Sequence, residues 1–425
     1  MTGMYPSKHG IHNNVRTDSY FARRLNSGCE TFSQKLKDAG YNLAYTGKWH
    51  VSAEEDPSDF GWEELEGVGA AGVHTKLDSD IYFDMLREDN APRGRGEVHL
   101  PGWGRRNIYK KVDGSIKDVS DYKNMQHALK RLAEFAKEDK PWCLFISLNG
   151  PHGSFDIPEP YASMYDPKGI SLPENYMDNM DNRPELYKRM QKKYSQLSED
   201  EVKESIAYYW GYCSMMDDMF GEALAALDKT GQADDTLVIR LSDHGEYAGN
   251  HGLYAKGIPC FDEAYRYPLI MRYPNGIKNP GRMVDEFVTH CDISPTLTEL
   301  AGAESTCDPS GKSLLPFLND EPTPADWPDA FYNQCNGVEI YFTQRMVRTK
   351  KYKLVYNPAS KDELYDLEND PHEMTNLIDD PNMQHVIKKL FVKIWKKGRE
   401  ERDYMSAYHT ISHAPFGPAF AFGKD

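Results

Sequence analysis

Three apolar stretches in this chain of 425 residues each run into charged or histidine side chains, and each follows a helix-like pattern. No other feature restricts the fold as much. The first is "YNLAYTGKWH" (residues 41–50), preceded by "ETFSQKLKDAG", in which Phe32, Leu36 and Ala39 share a helical face, Thr31 is placed to cap it and Gly40 to stop it. The second, "PWCLFISLNGPHGSF" (141–155), follows a helical pattern from Asp121 to Lys140 and empties into a loop carrying His152. The third, "DTLVIRLSDHGEYAGNHG" (235–252), follows the longest helical pattern, Glu199 to Thr230, which ends at Gly231. Alternating helices and buried strands predict an α/β sandwich with a central mixed sheet between helices. In such sheets ligands bind outside the carboxyl ends of the strands, so the three polar exits are expected on one rim.

Beyond about Ala325 the character changes. "DAFYNQC", "IYFTQRMVRTKKYKLVYNP" and "DELYDLEND" are short, aromatic and β-branched, which predicts a small antiparallel sheet. An amphipathic helix from about Asn382 to Arg402 would pack on it, and "HAPFGPAFAFGKD" would wrap the outside. The expected division is a catalytic α/β domain over 1–325 and a C-terminal α+β subdomain over 326–425, joined through "LNDEPTPADWPD".

Composition excludes some functions. Lys and Arg number 50 against 66 Asp and Glu, a formal charge of −16, which argues against nucleic acid or an anionic membrane as partner. Any cations serving an anionic substrate must be concentrated locally. No apolar run approaches the roughly 20 residues of a bilayer span. The seven cysteines (Cys29, Cys143, Cys213, Cys260, Cys291, Cys307, Cys335) lack CxxC spacing and indicate neither a zinc site nor a dense disulfide framework. The compartment stays open: periplasmic or extracellular with an upstream signal peptide, otherwise cytoplasmic.

The polar exits carry the chemistry. Asp243 and His244, at the end of an apolar strand and before Gly245, make a usable metal corner. The alternative is a helix-capping aspartate beside a solvated histidine. In "GKWH", Lys48 and His50 are two apart at the end of a strand, a spacing that puts both side chains on the same face. A lysine point charge beside a histidine suits an oxyanion that is held and then reacted, although the motif taken alone favours a surface lysine and an amphipathic histidine flanking a core Trp49. His152 follows a proline that holds its loop extended, and Lys256 lies downstream of the DHG run.

Taken in order, TG-x-YP-x-x-HG, GY-x-x-AY-x-GKWH, PH, SDHG-x-x-x-G-x-HGL-x-x-KG, "YPLIMRYP", "DISPTLTELAG" and "YKLVYNP" with "ELYDLENDPHEMTNL" resemble the type I sulfatases of the alkaline-phosphatase superfamily, from Met1 to about Leu377. The resemblance implies that Asp243 and His244 are ligands of a divalent metal, expected to be Ca²⁺. It implies that Lys48 and Lys256 hold sulfate oxygens, that His50 is the base expelling sulfate, and that His152 both meets the substrate and protonates the leaving alcohol. His251 matches a recurrent family position with its role open. Ser154 departs from the family's PH-x-P pattern. The expected substrate is a sulfate ester, small or oligosaccharide.

The family's nucleophile is a formylglycine made from the cysteine of a C-x-P-S-R signature directly before the TG-x-YP loop. None of the seven cysteines has that context, and the loop opens this sequence as "MTGMYPSKHG". The expectation is a sulfatase when complete and an inactive protein as given, with the family's first strand and two metal-binding aspartates also upstream. The loss of that strand would favour oligomers. A phosphonate or phosphate ester hydrolase of the same superfamily and a sulfate-binding pseudoenzyme are the competing readings.

Overall fold

The computed structural model describes residues 1–15, 23–67, 92–100, 104–304, 307–338, 340–403 and 412–423. Its central layer is built on β1 (Asn42–Gly47), which pairs in parallel with β2 (Glu63–Glu64) on one side and with β6 (Trp142–Ser147) on the other. A second piece, antiparallel, joins β8 (Val238–Leu241) to β9 (Leu269–Arg272). β3 (Glu97–Leu100) pairs antiparallel with β4 (Gly104–Asn107), and β5 (Tyr109–Lys111) pairs in parallel with β7 (Phe155–Ile157). This is the mixed α/β arrangement expected of the sequence.

The helices form where capping and periodicity place them. Helix α1 (Phe32–Asp38) is opened by a reciprocal capping box between Thr31 and Gln34, a device that stabilises a helix by about 1 kcal/mol. Helix α2 (Ser120–Phe135) buries Met125, Ala128, Leu132 and Phe135, and it is shorter than its sequence pattern because Lys137–Lys140 offers no apolar face. Helix α4 (Glu199–Thr230), which follows α3 (Glu185–Tyr194), starts at the Ser198–Glu201 capping box and ends at Gly231 in the left-handed conformation. Leu132 and Leu227 from α2 and α4 meet Trp142, Leu144 and Val238, so one helical layer covers both β6 and β8.

Those two strands are not bonded to each other. Among the described residues β6 pairs only with β1 and β8 only with β9, and every residue of β6 is only partly buried. Leu241 and Ile270 are exposed. Among the described residues each strand therefore keeps one edge without a strand partner.

The C-terminal sheet runs β10 (Phe331–Cys335), β11 (Gln344–Arg348), β12 (Tyr352–Tyr356) and β13 (Glu363–Asp366), all antiparallel and in sequence order. The last long helix, Gln384–Glu400, lays Ile387, Leu390, Phe391, Ile394 and Trp395 on it at helical spacing. The tail wraps outside, with the Trp395 indole donating to the Phe416 carbonyl at 2.7 Å. "LNDEPTPADWPD" is not a free connector: Trp327 is buried edge-on against Phe317, 4.7 Å between ring centroids. The opening loop is docked too. Tyr5 Oη donates to the Tyr332 carbonyl at 2.9 Å and Ser7 Oγ to the Glu401 carbonyl at 2.7 Å. None of the helices described is long and apolar enough to cross a membrane.

Candidate active site

The polar exits do meet. β1 stops at Gly47, whose φ of +90° turns the chain and whose absent side chain leaves room for the Ser147 carbonyl, only 1.9 Å from where a Cβ would stand. No other residue fits there. Lys48 N–H then donates to Ser147 O at 2.7 Å, fixing the ends of β1 and β6 side by side. The strand thus ends earlier than the "GKWH" reading required. Lys48 and His50 do not share a strand face, because the turn at Gly47 intervenes. Trp49 goes fully into the core, packed edge-on against Tyr45.

Lys48 Nζ reaches Asp243 Oδ2 at 3.1 Å, joining the exits of β1 and β8. Lys256 Nζ reaches His152 Nε2 at 2.5 Å, and the His152 and His244 rings stand edge to face at 5.8 Å between centroids. Hence Lys48, His152, Asp243, His244 and Lys256 form one cluster. His50 belongs to the same electrostatic environment: burial first, and then Lys48 and Lys256, lower its pKa.

Backbone carbonyls fix the histidine tautomers, since a carbonyl can only accept. His50 Nε2 lies 2.8 Å from Val15 O and so carries the proton, leaving a lone pair on Nδ1. His152 donates from Nδ1 to Gly153 O at 2.7 Å, so its Nε2 lone pair faces the Lys256 ammonium. Burial, and after it Lys256, push His152 down to about 4. His244 donates from Nδ1 to Gly245 O at 2.7 Å. Its Nε2 is buried, has no hydrogen-bond partner among the described residues, and sits 3.7 Å from Asp243 Oδ1. Partial burial raises the Asp243 carboxyl, but His244 and Lys48 outweigh it and bring the group down to about 2.

An orphaned imidazole lone pair beside an ionised carboxylate is a donor set that fits one side of a divalent cation. Among the described residues no group of three or more His, Cys, Asp or Glu is placed to hold a metal, so these two alone would supply only part of a coordination shell.

His251 stands apart from the cluster. It is fully buried, stacked on Phe261 at 3.7 Å, with Nδ1 2.6 Å from Asp178 Oδ2, and Asp178 is in turn 2.5 Å from Arg183. It locks the interior behind the loop that presents Lys256. Ser154 lies in the loop between His152 and β7.

Three contributors went unnoticed in the sequence. Asp121 accepts from the backbone of Asn149 (2.9 Å) and Gly150 (2.7 Å), tying the His152 loop to the start of α2. His290 donates from Nε2 to Ser242 O at 2.7 Å and receives the Tyr267 hydroxyl at 2.9 Å on Nδ1, which braces the residue before Asp243. Lys353, buried in the C-terminal sheet, grips Asp262 (2.7 Å), Glu373 (2.6 Å) and the Cys260 carbonyl (2.9 Å), anchoring the segment that follows Lys256. No local pattern marks these residues, because each acts across the fold.

A family model described as Sulfatase matches residues 1–303, and one described as N-sulphoglucosamine sulphohydrolase, C-terminal, matches residues 249–400. Multifunctional alkaline phosphatase superfamily protein PehA of Trinickia caryophylli is 26% identical over 98% of this chain and 86% of its own length. N-acetylglucosamine-6-O-sulfatase of Bacteroides thetaiotaomicron is 26% identical over 95% of this chain and 77% of its own. The phosphonate monoester hydrolase structure from Agrobacterium radiobacter superposes with a TM-score of 0.73 at 23% identity, covering 96% of this chain and 86% of that one.

Proposed function

This chain belongs to the type I sulfatases of the alkaline-phosphatase superfamily, and from that premise we propose that its site hydrolyses sulfate esters of a carbohydrate. One observation carries the reading: two lysines, two histidines and a carboxylate from separate strands converge at one rim, in a chain that is acidic overall. The carbohydrate is suggested by the N-acetylglucosamine-6-O-sulfatase relative.

Lys48 and Lys256 would bind the sulfate oxygens, where fixed positive charge lowers the energy of the transferring group. His50, neutral near pH 7 and with its Nδ1 lone pair free of the Val15 bond, is fitted to accept a proton. His152 is also neutral in this geometry. The negative charge of an arriving sulfate would raise its pKa, and the resulting imidazolium would protonate the leaving alcohol. Asp243 and His244 would hold a divalent cation, proposed to be Ca²⁺, which supplies further charge to the sulfate when bound. The proposed nucleophile is formylglycine from a cysteine other than the seven here. Burial lifts Cys291, next to His290, up to about 12, far from a reactive thiolate.

The phosphonate hydrolase of the same fold favours a second reading, because the same cations would stabilise a phosphoryl group. A sulfate-binding protein without turnover is the third. The genomic codons upstream of Met1 are sequenced for an in-frame C-x-P-S-R, and protein expressed with them is assayed on the sulfate and phosphonate esters of one phenol. Preference for the sulfate, lost in Lys48→Ala, supports the proposal; preference for the phosphonate selects the second reading, and no turnover of either ester the third.

A further inference from the structure

Between Arg93 and Lys111 the sequence places six Lys and Arg against one acidic residue, Glu97, in a chain of net charge −16. The structure folds much of this segment into one wall of a cavity of about 620 Å³, to which Arg95, Asn107, Lys110, Lys111, Tyr109 and Tyr208 contribute. Two acids also line it, but both are engaged. Glu204 takes the Arg95 guanidinium at 2.6 Å and the Tyr109 hydroxyl, and Glu97 accepts from Gly94 N at 2.6 Å. Lys110 is exposed and makes no ion pair among the described residues, while Lys111 shares Glu159 at 2.9 Å with more than half of its side chain still in solvent. The partly buried Tyr208 ring packs against Tyr109 at 4.9 Å, adding an aromatic surface beside the cations. Such a wall suits a sugar bearing negative charge: amines for the anion, a ring for the apolar face, an amide for hydroxyls.

Its position ties it to the cluster above. β5 pairs in parallel with β7 in the register Tyr109↔Phe155, and Phe155 lies three residues after His152. Chain reach and strand spacing put the start of the cavity wall within about 16 Å of His152. His152 is the group assigned to the leaving alcohol, so the wall is within reach of the part of a polymeric substrate that continues beyond that alcohol.

We propose that this cavity is a distal subsite for an anionic sugar of the same polysaccharide whose sulfate ester occupies the cluster at Lys48 and Lys256. The proposal rests on the sulfatase reading for the identity of that ester. It makes the preferred substrate a polyanionic oligosaccharide held at two points.

The test measures binding of dextran sulfate disaccharide and octasaccharide to the full 425-residue chain by calorimetry at low ionic strength, with unsulfated dextran octasaccharide as control. Two-point attachment predicts that the sulfated octasaccharide binds at least about tenfold tighter than the disaccharide. The double variant Lys110→Glu/Lys111→Glu should abolish that advantage and leave disaccharide binding within about twofold; Lys110→Gln/Lys111→Gln, which keeps side-chain size, should reduce it, and unchanged melting shows that either variant is folded. No length advantage, or one that survives both double variants, overturns the proposal. Lys48→Ala separates the two ideas. If it weakens the disaccharide while no length advantage exists, the sulfatase reading stands and the distal subsite falls; if the disaccharide is unaffected while a Lys110/Lys111-dependent length advantage persists, the subsite stands and that reading falls.

Discussion

Lys256 Nζ donates to His152 Nε2 across 2.5 Å, an ammonium pointed at an imidazole lone pair. A cation so close resists protonation of the ring, and burial resists it further. Replacing Lys256 with Met should therefore raise the His152 pKa from about 4 toward its ordinary value of 6.5, without reaching it because burial remains. An NMR titration of the imidazole nitrogens reads this directly; an unmoved pKa would show that the lysine does not control the ring.

The same ring tests the proposed chemistry in protein that carries the nucleophile. A good leaving group departs as an anion without help, so His152→Ala should leave nitrophenyl sulfate hydrolysis only mildly impaired. Hydrolysis of a sulfated sugar alcohol should fall about 10²-fold or more, the usual contribution of a positioned acid. Equal slowing of both substrates would assign His152 to holding the sulfate, a contact that every ester shares.

Two buried histidines should cost stability in a defined acid window. His9 and His152 are both held near 4, mainly by burial, against an ordinary value of 6.5. Between these values the unfolded chain binds protons that the two rings refuse in the fold, so the contribution of each ring is full above about 6.5 and declines as the pH falls toward 4. Glu246 and Asp362, which burial raises to about 7, act in the opposite sense over the same range, so the rings are isolated by comparing variants. The melting temperature of the unaltered chain should fall relative to that of His9→Gln as the pH drops from 6.5 to about 4; parallel curves would contradict the burial of the His9 ring.

The open edges of β6 and β8 make a prediction about association. Strand edges that lack a partner among the described residues, flanked by exposed Leu241 and Ile270, are templates for another chain. The 425-residue polypeptide should elute as oligomers or lose solubility, and Ile270→Lys should reduce this. A monodisperse monomer with a sharp melt would show that the edges are protected.

Much of the site was legible because it obeys local rules. Thr31 and Gly231 mark helix ends through capping, and Lys48, His152 and Asp243 each sit just past an apolar run. The Gly47 turn was not, since what requires glycine there is the carbonyl of Ser147, a hundred residues away in sequence. Nor was the buried role of His251, whose partners Asp178 and Phe261 lie on separate segments, or the packing of Trp327 inside a stretch rich in proline and acid. Periodicity and capping report on neighbours along the chain; contacts made only after the layers assemble leave no local trace.

The docking of the opening loop also governs when the molecule can finish folding. Tyr5 waits for Tyr332, 327 positions later, and Ser7 for Glu401, 394 positions later. During synthesis the helical layer can pack as it emerges, but the loop of Tyr5 and Ser7 cannot make these two bonds until residues 332 and 401 have left the ribosome. The loop of Tyr5 and Ser7 is therefore among the last segments to be secured, although it is made before both of its partners.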